Sequence, residues 1–143
     1  MRLSAKARYG LSALICMASG PVTDESVTVV SLAKQLDISK IYLEQVFSLL
    51  KRAGLVTSIK GAQGGYQLAR DAHSISVYDI LTAIEISLFE KQESDQTDPI
   101  TLTLLSMVFD PIDTCLKHTL SKITLEDLAA HTRGQTESYM YYL

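Results

Sequence analysis

Apolar residues recur at three- and four-residue intervals through the first twenty positions. Leu3, Ala7, Leu11, Leu14, Ile15 and Ala18 fall on one face behind Ser4, which is placed as an N-cap, and Gly20-Pro21 closes the segment. Val27 to Val30 is a β-branched run and predicts a small strand. Ser31 is positioned to cap a short helix with Leu32 and Leu36 inward, and Asp37-Ile38 reads as the turn after it. Ser39 then caps a second helix whose Leu43, Val46, Phe47 and Leu50 form a single apolar stripe. Ala53-Gly54 ends that helix, with Gly54 able to take the left-handed conformation of a helix stop.

The pattern changes at Leu55. Leu55 to Ile59 reads as a strand, Gly61, Gly64 and Gly65 as a loop tip, and Tyr66 to Leu68 as the returning strand. Ser76 and Asp79 have capping-box spacing ahead of a helix marked by Val77, Ile80, Leu81 and Ile84. Lys91 to Pro99 is polar and acidic and reads as a solvated loop. Ile100 to Leu120 is a long helical pattern with Leu105, Val108, Ile112, Cys115, Leu116 and Leu120 on one stripe. Pro111 is expected to kink that helix or reset its start. Thr124 and Asp127 predict the cap of a last short helix stopping at Gly134, before the aromatic stretch Tyr139-Met140-Tyr141-Tyr142-Leu143.

Helix, turn, helix and glycine-tipped hairpin in that order specify a winged helix-turn-helix. The fold class read from the pattern is therefore mainly α with a small β-wing, extended by a long C-terminal helix that the chain length allows as a dimerisation appendage. The expected division is 1–86 for the DNA-binding domain, 87–99 for an acidic loop, and 100–143 for the dimerisation helix and tail.

Charge supports that division. The 143-residue chain has a net charge of −3, which alone argues against nucleic acid. Residues 1–70, however, carry nine Lys/Arg against four Asp/Glu, a balance of +5, whereas residues 71–143 carry four against twelve, a balance of −8. A basic half beside an acidic half fits a DNA-facing module joined to one that faces water or protein. Apolar residues make up 47% of the chain, enough for a core, and their runs are broken by polar residues, so no membrane span is expected. The basic start, Met1-Arg2-Leu3-Ser4-Ala5-Lys6, leads into no apolar run of a secretion signal, and a cytoplasmic protein is expected.

The outward positions of the Ser39–Ala53 helix carry the chemistry. Gln45 can bond adenine bidentately and Glu44 can accept from cytosine N4. Lys40, Tyr42, Ser48, Lys51 and Arg52 can hold phosphates, together with Ser39 and the backbone N–H groups of the helix start. Lys60 at the wing's edge and Gln63 at its tip are phosphate or minor-groove candidates, and Arg2 and Tyr66 complete the expected DNA-contacting set. No enzyme is expected. The Gly61–Gly65 tip lacks the Gly-Lys-Ser/Thr of a phosphate cradle and no helix follows it, and His73, His118 and His131 are scattered.

Met1-Arg2-Leu3-Ser4 with Arg8-Tyr9-Gly10, Ile38-Ser39 with Tyr42-Leu43-Glu44-Gln45, Gly54-Leu55-Val56, Lys60-Gly61 with Gly64-Gly65-Tyr66, and Ile123 to Leu128 together resemble the Rrf2 family of bacterial transcription regulators. The resemblance covers nearly the whole chain. It implies a homodimer on double-stranded DNA, with the Ser39–Ala53 helix in the major groove and Glu44 and Gln45 on bases. Lys60 stands where some relatives have arginine, so the wing role carries over as charge alone.

Many members of that family hold an iron–sulfur cluster through three cysteines in the loop before the long helix. Here Phe89 to Pro99 contains neither cysteine nor histidine, and thiolates are the ligands such clusters require, so no cluster is expected. Cys115 and His118 share a helix face, but two ligands alone do not close a metal site, although a dimer could supply four. Cys115 continues an apolar stripe and reads first as a small core residue, as does Cys16. The alternative is a sensor whose oxidant or small ligand acts at Cys115 or in a pocket beside the long helix. The final residues resemble the cluster-free branch of the family, a repressor of cysteine metabolism that works with O-acetylserine thiol-lyase. Tyr139, Met140 and Tyr142 read first as packing on the partner subunit. The sharper expectation is that Tyr141, Tyr142 and Leu143 offer the thiol-lyase a terminal carboxylate.

Overall fold

The computed structural model describes residues 2–20, 27–61, 64–90 and 98–141. It is mainly helical with one two-stranded antiparallel sheet, the fold class that the sequence pattern specifies. Helix α1 (Ala5–Ser19) starts where the Ser4 hydroxyl accepts the Ala7 N–H at 3.1 Å, and it buries Ala7, Ala13 and Leu14. Gly10 lies on its buried face. A Cβ there would fall 2.3 Å from Ile84 Cδ1 and 3.1 Å from Val46 Cγ1, so two further helices meet α1 at a point where any side chain would force the Ile84 tip to move.

The next segment departs from expectation. Only Val27 pairs as a strand, in a single bridge with Tyr66 (N–H to carbonyl 3.0 and 2.8 Å). Helix α2 (Val29–Leu36) begins two residues before Ser31 because Thr28, not Ser31, supplies the cap, its hydroxyl accepting the Ser31 N–H at 3.1 Å. Burial of Val29 outweighs its weak preference for a strand. Asp37 turns the chain in the left-handed region (φ 54°), and Ile38 donates back to the Ala33 carbonyl at 2.9 Å. Helix α3 (Lys40–Arg52) follows with Ser39 as N-cap, and its expected stripe of Leu43, Val46, Phe47 and Leu50 is fully buried. Gly54 ends it at φ 75°.

Strands β1 (Val56–Ile59) and β2 (Gly65–Leu68) pair Val56 with Leu68 and Ile59 with Gly65. The wing is thus a short hairpin rooted on Leu55 and Val56, both buried. A 3-10 turn at Ala72–Ser74, capped by Asp71, is a connection that periodicity did not indicate. Helix α4 (Val77–Ile84) carries the predicted capping box, with Ser76 and Asp79 exchanging bonds at 3.0 Å. The one-turn α5 (Ile86–Phe89) follows it.

Helix α6 (Pro99–Leu104), a π turn (Leu105–Phe109) and α7 (Asp110–Ser121) run on as one 23-residue helix, about 34 Å long at 1.5 Å per residue. Pro111 does not end the run. It falls in the first turn of α7, where the α-helical ladder restarts after the π turn, as the reset alternative expected. Proline has no N–H to give and its ring crowds the preceding turn. The ladder accommodates this by widening, with the Asp110 N–H reaching back five residues to the Leu105 carbonyl. By length and composition alone this helix could cross a membrane, contrary to the expectation that apolar runs are too broken for that.

The chain then returns to the body. Backbone bonds Val77 N–H to Ile123 carbonyl and Leu125 N–H to Ile75 carbonyl, both 2.8 Å, bridge Ser76 to Thr124. Thr124 and Asp127 form the second expected capping box, and those bonds from Thr124 hold the Asp127 carboxyl below the usual carboxylate range. Helix α8 (Leu125–Tyr141) buries Leu125 and Ala129 and packs along α1, where Arg133 bonds the Ala18 carbonyl at 3.1 Å and pairs with Glu126. It does not stop at Gly134. That glycine has helical backbone, and the helix continues for seven more residues. Gly134→Ala should therefore raise stability by about 0.5–1 kcal/mol, because alanine gives up less backbone freedom than glycine in a helix. Urea denaturation measures it, and a loss of stability would place a helix stop at Gly134 after all.

Candidate nucleic-acid interface

The buried stripe of α3 decides what its other positions offer. With Leu43, Val46, Phe47 and Leu50 inward, the 100° step per residue sends Ile41, Gln45, Ser48 and Arg52 to the opposite ridge. Lys40, Glu44 and Lys51 flank that ridge on one side, and all seven are exposed. Lys40 and Glu44 lie one turn apart with Nζ 3.7 Å from Oε1. An exposed pair of this kind contributes at most a few tenths of a kcal/mol, so both groups can leave it for DNA.

Three candidates serve the fold. The Ser39 hydroxyl is occupied as the N-cap, accepting the Tyr42 N–H at 3.4 Å. Tyr42 is half-buried, edge-on to Tyr9 with ring centroids 5.5 Å apart. Tyr66 is half-buried against Phe47 at 4.6 Å and clamps the returning wing strand onto α3. Arg2 is exposed ahead of the Ser4 cap, and the Ser4 N–H is tied to Glu85 at 2.8 Å. Lys60 is exposed just past the end of β1, where the hairpin turns. Gln63 lies outside the described residues.

Two open clefts flank α3. One, about 380 Å³, runs between Val29, Lys40 and Glu44 and the wing residues Ser58, Ile59 and Tyr66. The other, about 500 Å³, is lined by Lys6, Ile41, Glu44, Gln45, Ser48 and Leu49. Glu44 borders both, so α3 projects as a ridge between two grooves, a shape that a DNA major groove accepts. Sequence reasoning missed Lys6 and Ile41. Lys6 reaches this groove from a different helix, and Ile41 reads on periodicity alone as one more apolar position.

The long helix has a second exposed surface. Ile100, Leu102, Leu104, Met107, Val108, Phe109 and Ile112 are all exposed, Met107 to 73%. Cys115 is exposed with them and is not a core residue of the protomer, because α7 touches the body through other positions and leaves this face outward. Cys16 sits partly buried against the core, and burial pushes its thiol up. Tyr141 ends α8, and Tyr142 and Leu143 lie outside the described residues.

Residues 3–131 match the Rrf2 family profile, described as an iron-dependent transcriptional regulator. The chain is 36% identical over its whole length to the HTH-type transcriptional regulator CymR of Bacillus subtilis, whose full length it also covers. It is 46% identical over 86 residues to the regulator IscR of Cereibacter sphaeroides, 59% of this chain and 56% of that one. Among solved structures, CymR, titled the global cysteine regulator of B. subtilis, superposes with a TM-score of 0.72 at 33% identity, covering 92% of this chain and 98% of that one. T. potens IscR gives 0.72 at 31% identity, covering 99% and 97%. These relatives are regulators, not enzymes. An iron–sulfur cluster held by three cysteines of one chain does not fit the donors present. The chain has two cysteines, one on α1 and one on α7, and no cluster of three His, Cys, Asp or Glu side chains occurs among the described residues.

Substitutions at the ridge and at the wing should differ in kind. Gln45→Ala should change sequence preference at a cost of about 1–3 kcal/mol on the preferred duplex. Lys60→Ala should weaken all duplexes alike and lower the slope of log affinity against log salt by about one. Binding titrations at several salt concentrations, on preferred and scrambled duplexes, separate the two. Parallel losses from both variants would refute the assignment.

Proposed function

Since the chain belongs to the Rrf2 family of transcriptional regulators, we propose that it is a cytoplasmic, dimeric, sequence-specific DNA-binding repressor of genes for sulfur and cysteine metabolism. The observation that carries the DNA-binding reading is the polar ridge of α3, with Lys40, Glu44, Gln45 and Ser48 exposed together between two grooves. In this reading the residues divide by role. Gln45 and Glu44 meet base edges. Lys40, Lys51, Lys60, Arg2 and the N–H groups at the α3 start meet phosphates, and Ser39, Tyr42 and Tyr66 hold the reading helix and wing in place. Gln63 is assigned the same backbone-contacting role as Lys60. Residues 1–86 form the reading unit, 87–99 the acidic connection and 100–143 the dimerisation segment. The cysteine link comes from the full-length likeness to CymR.

The dimer rests on the long helix. Its exposed apolar side chains are too many to leave in water, and a second copy of the same helix is the simplest cover that also gives two reading heads. This reading takes the place of a membrane span for Pro99–Ser121, since Asp110, Asp113 and Lys117 lie within that segment. With two cysteines in the chain, one on α1 and one on α7, the repressor is read as working without iron and taking its signal from a protein. O-acetylserine thiol-lyase is the proposed partner, with Tyr141, Tyr142 and Leu143 in its contact region.

Selecting genomic fragments with purified protein tests the reading, and an inverted repeat bound by a dimer is the expected product. Ile112→Glu should leave the helical circular dichroism intact and give a monomer in sedimentation. Operator affinity should then fall at least tenfold, because two unpaired carboxylates would have to be buried. A dimeric Ile112→Glu would remove the long helix from the interface. Adding the thiol-lyase to the operator complex should change the dimer's affinity for DNA, and an unchanged affinity would remove the enzyme from the proposal.

A further inference from the structure

We infer that Ile41 is a specificity-determining residue that reads the C5-methyl group of thymine in the major groove. The inference rests on the DNA-binding reading above and deepens it. Ile41 is the second residue of α3 and is 70% exposed. It stands about 170° around the helix from the middle of the buried stripe, as far from the core as an α3 side chain can be. Its neighbours along the ridge are Gln45, Ser48 and Arg52, and Lys6 faces it across the groove. The outermost line of α3 is therefore polar except at one position, where a branched aliphatic side chain projects.

Local structure does not account for that choice. A β-branched residue is a mediocre helix former, and nothing in the protomer covers this one. One isolated isoleucine among amide, hydroxyl and cationic groups is also too small for a protein interface, which needs about 800 Å² on each side. The requirement it does meet is chemical. Among the groups that base pairs present in the major groove, the thymine methyl is the apolar one, and it lies beside hydrogen-bonding edges. Ile41 sits one turn before Gln45 on the same ridge. When Gln45 bonds one base, Ile41 is placed over a nearby base step, where a methyl would be welcome and the amino group of cytosine would be stripped of water without a partner.

Replacing thymine by deoxyuridine removes that methyl and nothing else. The full-length dimer would be titrated against its selected operator and against duplexes in which each thymine in turn is deoxyuridine. At one symmetric pair of positions the wild-type protein should lose about fourfold in affinity per methyl, the burial of one methylene-sized group. Ile41→Ala should bind the thymine and deoxyuridine duplexes equally at those positions, with unchanged affinity for scrambled DNA. If no deoxyuridine weakens the wild type, or if Ile41→Ala keeps the same sensitivity, the assignment is overturned while sequence-specific binding stands. If the wild type selects no duplex at all, the DNA-binding reading itself fails.

Discussion

Gly10 is where α1, α3 and α4 come together, and the missing side chain sets their spacing. Ile84 Cδ1 of α4 occupies the space that a Cβ would take, and Val46 Cγ1 of α3 lies in tight contact with it at 3.1 Å. Close packing at that point brings α3 down onto α1, and only then are Leu43, Phe47 and Leu50 all removed from water. The azimuth of α3 follows, and with it the set of side chains that face outward. A small residue on the far side of the core thus sets the aim of the polar ridge. Its position on α1 also ties that helix to α3, and Lys6 of α1 lines the same groove as Gln45.

The elements visible in the sequence were those written in local chemistry. Ser4, Ser39 and the pairs Ser76/Asp79 and Thr124/Asp127 mark helix starts because each orphan N–H needs an acceptor within three residues. The stripe of α3 and the left-handed Gly54 are equally local. The misreadings came where distant contacts outvoted short-range preference. Val29 and Val30 favour a strand, yet the Thr28 cap and the burial of Val29 make a helix. Gly134 is a plausible stop, yet α8 has already been committed by packing on α1 and by Arg133. Pro111 resets the α-helical start as its chemistry dictates, yet no local rule says that a π turn will carry the helix across it.

The candidate site was legible residue type by residue type, less so in its division of labour. Periodicity placed Lys40, Glu44, Gln45, Ser48 and Lys51 outward correctly. It could not show that Tyr66 would be engaged by Phe47 or Tyr42 by Tyr9, since those contacts join segments far apart in sequence. Cys115 was misjudged for a related reason. An apolar stripe says that a face will be covered, and it does not say whether the cover is the same chain. On the long helix the protomer leaves that face bare.

The bridge between Ser76 and Thr124 has a wider consequence. Helix α4 stays in the core, and the chain that leaves after it re-enters at Thr124, beside the Ser76 start of α4, where two adjacent backbone crossings are each secured by a capping box. The cost of closing such a loop grows only slowly with its length. Residues can therefore be gained or lost inside the excursion with little penalty to the reading unit, because both ends stay clipped together. A lineage could vary that interval and keep the same helical body beneath it.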